Sequence, residues 1–400
     1  MNCTFSRIDA DIVRCHDCGQ EIGTRQDPAR VFARCALGNE RFRESTIATG
    51  PRVMLIVPSL RVGGVITWLG SLMKHCKSVE WCGIAIATPT SQWLVDPTLL
   101  GQFLDDGCPL VGLPLKCNRK HRMQRLIEQF KPDVILAWGV MDLDEMLKGA
   151  RIPIILVSHG PHESSWSRRF LDRGSRVATH LVAVSRSAAE AFRDDVLDRV
   201  TIICNGVERP QPHHFSDASR QQARRRMQIQ PGEKAIGFIG RLADEKRPLA
   251  LAEAIELFPE DYRAVFIGPS TNGMVEKAKL ITKKMSYLQA VSASCVYDLM
   301  CGLDVLVSPS RYESFGLSVV EAWSCRVPVV ATDVGIAGEI GSQASCIIPV
   351  EFSPRMLADA IEEASMREKL DVAEETSRNF MAGDMAEKWC RYLRQVTLVS

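Results

Sequence analysis

The chain has 400 residues, 46% of them apolar and 24% charged, which is the balance of a folded globular protein with about two domains. A formal net charge of +1 removes the global bias expected of a chain that binds nucleic acid or a membrane by charge alone. No apolar run reaches the roughly 18 residues of a membrane-crossing helix. The opening stretch Met1–Arg7 leads into Asp9 and Asp11 rather than into an apolar export core. The expected location is therefore cytoplasmic, with the 14 cysteines held as free thiols. Cys76, Cys82, Cys204, Cys301 and Cys346 stand inside apolar runs, where a thiol acts as a small buried hydrophobe.

Residues 1–50 read as an irregular, Cys- and Arg-containing extension. Its Cys15, Cys18 and Cys35 invite a zinc reading, but a structural site wants four ligands and no convincing partner pair is present. Order begins at Val53–Val57, an apolar run that fits a strand buried on both faces. Gly63-Gly64 follows, then a helical pattern from Val65 to Cys76 and a strand over Ile84–Ala87. Helical periodicity recurs at Leu99–Asp106 and His121–Phe130, with apolar runs at Val111–Leu115, Val134–Ala137, Ile154–Val157 and Leu181–Val184. Ser185 is placed to cap a helix over Ser187–Phe192. Strands alternating with helices predict an α/β protein with parallel sheets covered on both faces.

Glu208–Ser216, with Pro210 and Pro212 and no periodicity, breaks this pattern. A second strand–helix series follows from Ala235–Gly240 through Ala264–Ile267, Val305–Val307, Val329–Ala331 and Ile347-Ile348. The predicted organisation is a first Rossmann-like domain over 51–208, a linker over 209–231, a second such domain over 232–383, and a C-terminal helical segment, 384–400, packing back on the first. Ligands of such sheets bind at the carboxyl ends of strands, so a cleft between the two domains is the expected active site.

The segment after Val305–Val307 carries the strongest chemistry. Glu313 falls in the loop between strand and helix, Phe315-Gly316 starts the helix, and Glu321 lies about a turn and a half into it. A helix start offers free N–H groups to an anion, and flanking carboxylates suit hydroxyl-rich ligands. Gly240-Arg241, with Lys246 downstream, places two cations after the first strand of the same domain, suited to phosphate oxygens. Gly63-Gly64 lets backbone amides approach an anion, but a plain turn is an equal reading, and the dinucleotide fingerprint Gly-x-Gly-x-x-Gly is absent. His159, at the carboxyl end of Ile154–Val157, can donate and accept near neutral pH, with His162 as the alternative. Arg168, Arg169, Arg173 and Arg176, beside Trp166 and Phe170, could form a basic amphipathic surface. Arg224-Arg225-Arg226 is explained by a solvated helix face.

Glu313-x7-Glu321 enclosing Phe315-Gly316-Leu317, followed by Ala322 and Pro328–Ala331, resembles the retaining glycosyltransferases of family 4, which have the GT-B fold. The resemblance covers roughly 52–395. It implies two Rossmann-like domains facing across a cleft, an acceptor site on the first and a nucleotide-sugar donor site on the second. It further implies that Glu313 contacts donor-sugar hydroxyls, Glu321 holds the ribose, and the backbone of Ser314, Phe315, Gly316 and Leu317 holds sugar and phosphate. Arg241 and Lys246 would bind the diphosphate and offset leaving-group charge, Gly63 and Gly64 would touch donor phosphates or acceptor, and His159 would lie near the transferred sugar. Asn205-Gly206-Val207 would be the turn into the linker. The implied reaction is metal-independent, configuration-retaining transfer of a hexosyl unit to a glycan, a lipid-linked acceptor or a small molecule, with peripheral contact at the inner membrane face through the arginine surface.

Two departures stand out. Arg326 occupies a position where the family usually has glycine, and 270–300 diverges where relatives bind the base, so the nucleotide is unreadable. They motivate one rival, a non-catalytic nucleotide-sugar binder with a regulatory or scaffold role. A related enzyme that uses phosphate as acceptor or epimerises the sugar is the second rival.

Overall fold

The computed structural model describes residues 50–59, 63–87, 108, 110–113, 118–160, 164–289, 293–340, 344–366 and 370–398, and the backbone of 5–9, 12–15 and 21–23. His162, Cys18, Cys35 and the expected helix Leu99–Asp106 lie outside the described residues, as does the side chain of Cys15. Within the extension expected to be irregular, β1 (Phe5–Asp9), β2 (Ile12–Cys15) and β3 (Glu21–Gly23) form an antiparallel sheet in that order.

Two compact units follow. The first holds a parallel sheet of seven strands: β4 (Arg52–Val57), β5 (Glu80–Ile86), β6 (Leu110–Gly112), β7 (Val134–Ala137), β8 (Ile154–Ser158), β9 (His180–Ala183) and β10 (Val200–Ile202). Their spatial order is β10-β9-β8-β7-β4-β5-β6. Val53 to Val57 have no exposed surface, as expected of a central strand covered by helices on both faces. The order reverses between β4 and β7, so the loops after these strands diverge and open a crevice at their carboxyl ends.

The second unit holds β11 (Lys234–Ile239), β12 (Tyr262–Ile267), β13 (Met285–Leu288), β14 (Val305–Ser308), β15 (Val329–Thr332) and β16 (Cys346–Ile348). They too are parallel, in the order β13-β12-β11-β14-β15-β16, with the switch between β11 and β14. Phe238, Phe266, Leu251, Ile255, Leu357 and Ile361 fill the core between this sheet and the helices Pro248–Ile255 and Pro354–Ser365.

The segment expected as a linker carries the helix Asp217–Arg226, which belongs to the second unit. Apolar periodicity missed it because Ala223 is its single buried residue, and arginines do the docking. Arg220 donates to the carbonyls of Cys301 and Leu303 and pairs with Asp304, and Arg224 reaches the Gly302 carbonyl and the same Asp304. Long cationic stems thus cover apolar surface while their heads are satisfied.

Residues 386–398, most of the C-terminal helix Ala382–Leu398, cluster with the first unit. Trp389 there has no exposed surface and meets Trp68 at 5.7 Å between ring centroids. Beside it Cys390 is disulfide-bonded to Cys76, correcting the expectation that all cysteines are free thiols. Chain spacing gave no hint of the pair, because 314 residues separate the two cysteines and the fold alone brings them together. Cys82, Cys301 and Cys325 are free thiols, and burial pushes that of Cys82 up to about 12. Among the described residues, no helix is long and apolar enough to cross a membrane.

A cross-link across so long a loop removes conformational freedom from the unfolded chain. Cys390→Ser should therefore lower the unfolding free energy by about 2–4 kcal/mol in oxidising urea titrations. The same variant should match the wild type once excess dithiol is present.

Candidate functional site

The second unit gathers its chemistry at the carboxyl ends of β11 and β14, the neighbours at the switch point. After β11, Gly240 adopts a positive φ of 149° and the chain turns into Arg241 and the 3-10 turn Asp244–Lys246. After β14, Ser308–Gly316 forms the loop that starts the helix Leu317–Ser324. Lys246 Nζ lies 2.6 Å from Glu313 Oε1, and both side chains are largely withdrawn from solvent. Ser310 Oγ donates to the same Glu313 oxygen at 3.0 Å. Glu313 is thereby held in one orientation by a cation and a hydroxyl. Arg241 is more exposed and pairs with Glu245 through one terminal nitrogen at 2.6 Å, which leaves its other N–H donors unused by that pair.

Several residues that sequence reading passed over hold this loop. Arg247, left-handed at φ 49°, donates to the Pro309 carbonyl at 2.7 Å and the Val350 carbonyl at 2.6 Å. Its guanidinium lies over Phe352, and burial draws its pKa down. Thr332 Oγ1 donates to the Ser310 carbonyl at 2.6 Å. Ser185, expected as a cap, does accept from Ala188 N–H at 2.9 Å, and its hydroxyl also donates to the Ser314 carbonyl.

The helix start is shaped by two glycines. Gly316 is the N-cap at φ 96°, a conformation that any side chain would strain. Gly335, at φ 56°, lies so close that a Cβ there would meet the Phe315 carbonyl oxygen at 2.6 Å. Phe315 itself is buried and packs edge-on against Phe380, so its backbone rather than its ring faces the loop chemistry.

Glu321 differs from Glu313. Among the described residues no donor or cation is recorded at its carboxylate, and burial alone pushes its pKa up to about 7. The nearby Tyr297 hydroxyl is buried, and burial raises its pKa. One helix therefore carries a fixed, ion-paired carboxylate before its start and a desolvated, unpaired one inside it. Just beyond, Arg326 adopts φ 58°, a left-handed conformation that glycine takes without strain. The cost of roughly 1 kcal/mol is offset by its pairing with Glu374 at 2.6 Å and its position over Phe215.

In the first unit, Gly63 and Gly64 open the exposed start of the helix Gly64–His75. His159, just past β8, sits among Trp68 and Trp138 at ring-centroid distances of 4.4 and 5.7 Å. Its Nε2 is buried without a partner, and burial lowers its pKa to about 3, so the imidazole is neutral at working pH. Of the arginine surface, Arg173 pairs with Asp144 and Glu145, and Arg176 with Asp172. Asn205-Gly206-Val207 is a structural turn: Val207 and Ala382 exchange backbone hydrogen bonds with the opposing segments, and a Cβ on Gly206 would meet Met381 O at 2.7 Å.

One cluster of metal-ligating residues occurs among the described residues, His213, His214 and Asp298, with ligand atoms within 4.8 Å of one another. His214 Nδ1 accepts from Gln211 N–H at 2.9 Å, which leaves the proton on Nε2, facing Asp298 Oδ1 at 3.1 Å. Both nitrogens are thus used in bracing the turn against the helix Ala293–Met300, a structural role.

Residues 107–209 match the family model "Glycosyltransferase Family 4", and 219–379 match "Glycosyl transferases group 1". The chain is 27% identical over 222 residues to "Putative teichuronic acid biosynthesis glycosyltransferase TuaC" of Bacillus subtilis, covering 54% of this chain and 55% of that protein. It is 32% identical over 183 residues to the D-inositol 3-phosphate glycosyltransferase of Mycobacterium marinum, covering 44% and 38%. The matches thus span about half or less of these relatives' length. Among solved structures, Anabaena Alr3699/HepE in complex with UDP and glucose superposes with a TM-score of 0.71 at 16% identity, covering 86% of this chain and 99% of that one. WaaG, a glycosyltransferase involved in lipopolysaccharide biosynthesis, gives 0.62 at 15% identity, covering 86% and 99%. At such identities the likeness is one of fold.

A carboxyl whose pKa is raised is neutral below it. Glu321 ionises near pH 7 and is then the better acceptor for sugar hydroxyls. If a ligand's hydroxyls bond it, affinity should rise as pH goes from 6 to 8, with proton release on binding. Calorimetry in buffers of different ionisation enthalpy measures both, and Glu321→Gln should remove the dependence. For folding the sign is opposite: the buried charge costs stability progressively as pH rises from about 4.5 to about 7.

Proposed function

The chain belongs to the glycosyl transferases group 1, family 4 of the glycosyltransferases, and from that premise we propose that it is a retaining hexosyltransferase. Its donor is a nucleotide-diphosphate sugar, and its acceptor is a glycan, a lipid-linked molecule or a small hydroxyl compound. The observation that carries this reading is the Lys246–Glu313 pair beside the Gly316 helix start, with unpaired Glu321 in the same helix.

Each group has a task that its environment suits. Glu321 accepts two ribose hydroxyls, for which its carboxylate is vacant. Glu313, fixed by Lys246 and Ser310, accepts from donor-sugar hydroxyls through its remaining lone pairs. Backbone amides of Ser314, Phe315, Gly316 and Leu317 hold sugar and phosphate oxygens at the helix start. As the bond between the anomeric carbon and the diphosphate breaks, negative charge grows on the departing oxygen. Arg241 and Lys246 neutralise it, so the reading needs no metal for that step. The neutral His159 offers its unpartnered Nε2 to a hydroxyl of the transferred sugar. Gly63 and Gly64 present backbone amides to phosphate or acceptor.

The finer reading is a cytoplasmic enzyme with peripheral contact at the inner membrane face. That contact would run through Arg168, Arg169, Arg173 and Arg176, of which Arg173 and Arg176 also pair with carboxylates.

A thermal-shift panel of UDP, GDP, ADP and their sugars tests the donor site, and one nucleotide should raise the melting temperature. With that donor, Glu321→Ala should weaken nucleotide binding about tenfold or more, roughly the 1.4 kcal/mol of one lost bond to a charged group. Glu313→Ala and His159→Ala should leave nucleotide affinity near wild type and lower turnover. Equal nucleotide affinity in wild type and Glu321→Ala would refute the ribose assignment.

A further inference from the structure

The loop that leaves β14 is held from behind at three successive carbonyls. Ser187 Oγ donates to the Glu313 carbonyl at 3.3 Å, and Ser185 Oγ donates to the Ser314 carbonyl. Ile336 N–H donates to the Phe315 carbonyl at 2.7 Å. The two serines lie in Val184–Ala188, a segment that clusters with the second unit. They stand 126 and 129 residues from the carbonyls they hold, so only the fold makes them neighbours of this loop.

Both serines are themselves fixed. Ser185 has no exposed surface, and its hydroxyl accepts from Ala188 N–H at 2.9 Å, which leaves its single proton for Ser314. Ser187 N–H donates to Glu339 Oε1 at 2.8 Å, which ties it to the helix Gly335–Ile340. That helix also supplies Ile336, the third anchor.

A peptide plane is rigid and trans, so its N–H points opposite to its C=O. Anchoring the carbonyls of Glu313, Ser314 and Phe315 therefore turns the N–H groups of Ser314, Phe315 and Gly316 away from their anchors. Among the described residues, no acceptor is recorded for any of these three amides. None of the planes can turn over without breaking its anchor, so the donors hold their direction before a ligand arrives. Donors fixed in this way stabilise negative charge without reorganising as it develops. Water at the same carbonyls would satisfy them but would leave the planes free to swing, because water is not tied to the chain.

We infer that Ser185 and Ser187 are positioning residues, whose hydroxyls aim the amides of Ser314 and Phe315 at the phosphate and sugar oxygens of the donor. The word donor rests on the glycosyltransferase reading above; the aiming of these amides at an anion does not.

NMR on the full chain tests it, with isotope-labelled serine, phenylalanine and glycine amides and inorganic pyrophosphate as the probe. Pyrophosphate should move the amide resonances of Ser314, Phe315 and Gly316. Ser187→Val should weaken its binding about tenfold, the effect of roughly one hydrogen bond to an anion. Ser187→Thr should bind it like the wild type. Threonine and valine have the same shape and differ in the hydroxyl, so a packing role would make these two variants alike. Ser185→Ala should weaken pyrophosphate as Ser187→Val does, and lower the melting temperature besides, because Ala188 N–H loses its acceptor. Amide resonances that stay in place, or equal affinity in Ser187→Thr and Ser187→Val, would overturn the inference. So would wild-type pyrophosphate affinity in Ser185→Ala. If the amides respond and threonine and valine differ, while no nucleotide raises the melting temperature, the donor reading fails and the aiming of the amides stands.

Discussion

The contact between Lys246 and Glu313 is the constraint on which the proposed donor site depends. It joins the loops that leave β11 and β14, the two strands between which the chain reverses its winding direction. At a switch point neighbouring loops diverge, and a crevice opens between them by topology alone. The crevice becomes a site only if something fixes the loops' side chains relative to each other. An ion pair this close, mostly withdrawn from water, is screened little and fixes both. Arg247 and Thr332 add the second layer by tying the backbone at Pro309 and Ser310 from behind.

The two glutamates illustrate how environment assigns roles to identical side chains. Glu313 is ion-paired before any ligand arrives, which suits it to the proposed role of a preoriented acceptor. Glu321 sits in the helix without a cation, close to ionisation at neutral pH, beside the buried Tyr297 hydroxyl. Such a carboxyl costs the free fold stability, and it is tolerable because a ligand's hydroxyls can repay the lost hydration. His159 in the first unit is likewise set by its surroundings: burial among aromatic rings holds it neutral and leaves its buried Nε2 without a partner.

Much of this was legible in the residues. Apolar runs ending in Pro58, in Gly240 and in Ser308 mark parallel strands and their functional ends, because strands buried on both faces need no alternation. The spacing from Glu313 through Gly316 to Glu321 marks the helix start. What stayed hidden depends on contacts far apart in sequence. Cys76 and Cys390 meet only after folding, Gly335 looks like an ordinary turn glycine until Phe315 is placed against it, and Arg247 reads as a surface cation although it clamps two carbonyls. The helix Asp217–Arg226 escaped because arginine docking leaves no apolar period.

The account stands on coupling between the two loops at the switch point, and a double-mutant cycle on Lys246→Met and Glu313→Gln measures it directly through kcat/KM. Residues acting as one unit should lose far less together than the sum of their separate losses, with a coupling energy of about 1–3 kcal/mol. Losses that add to within roughly 0.5 kcal/mol would mean that the two side chains act independently, and would contradict the central claim.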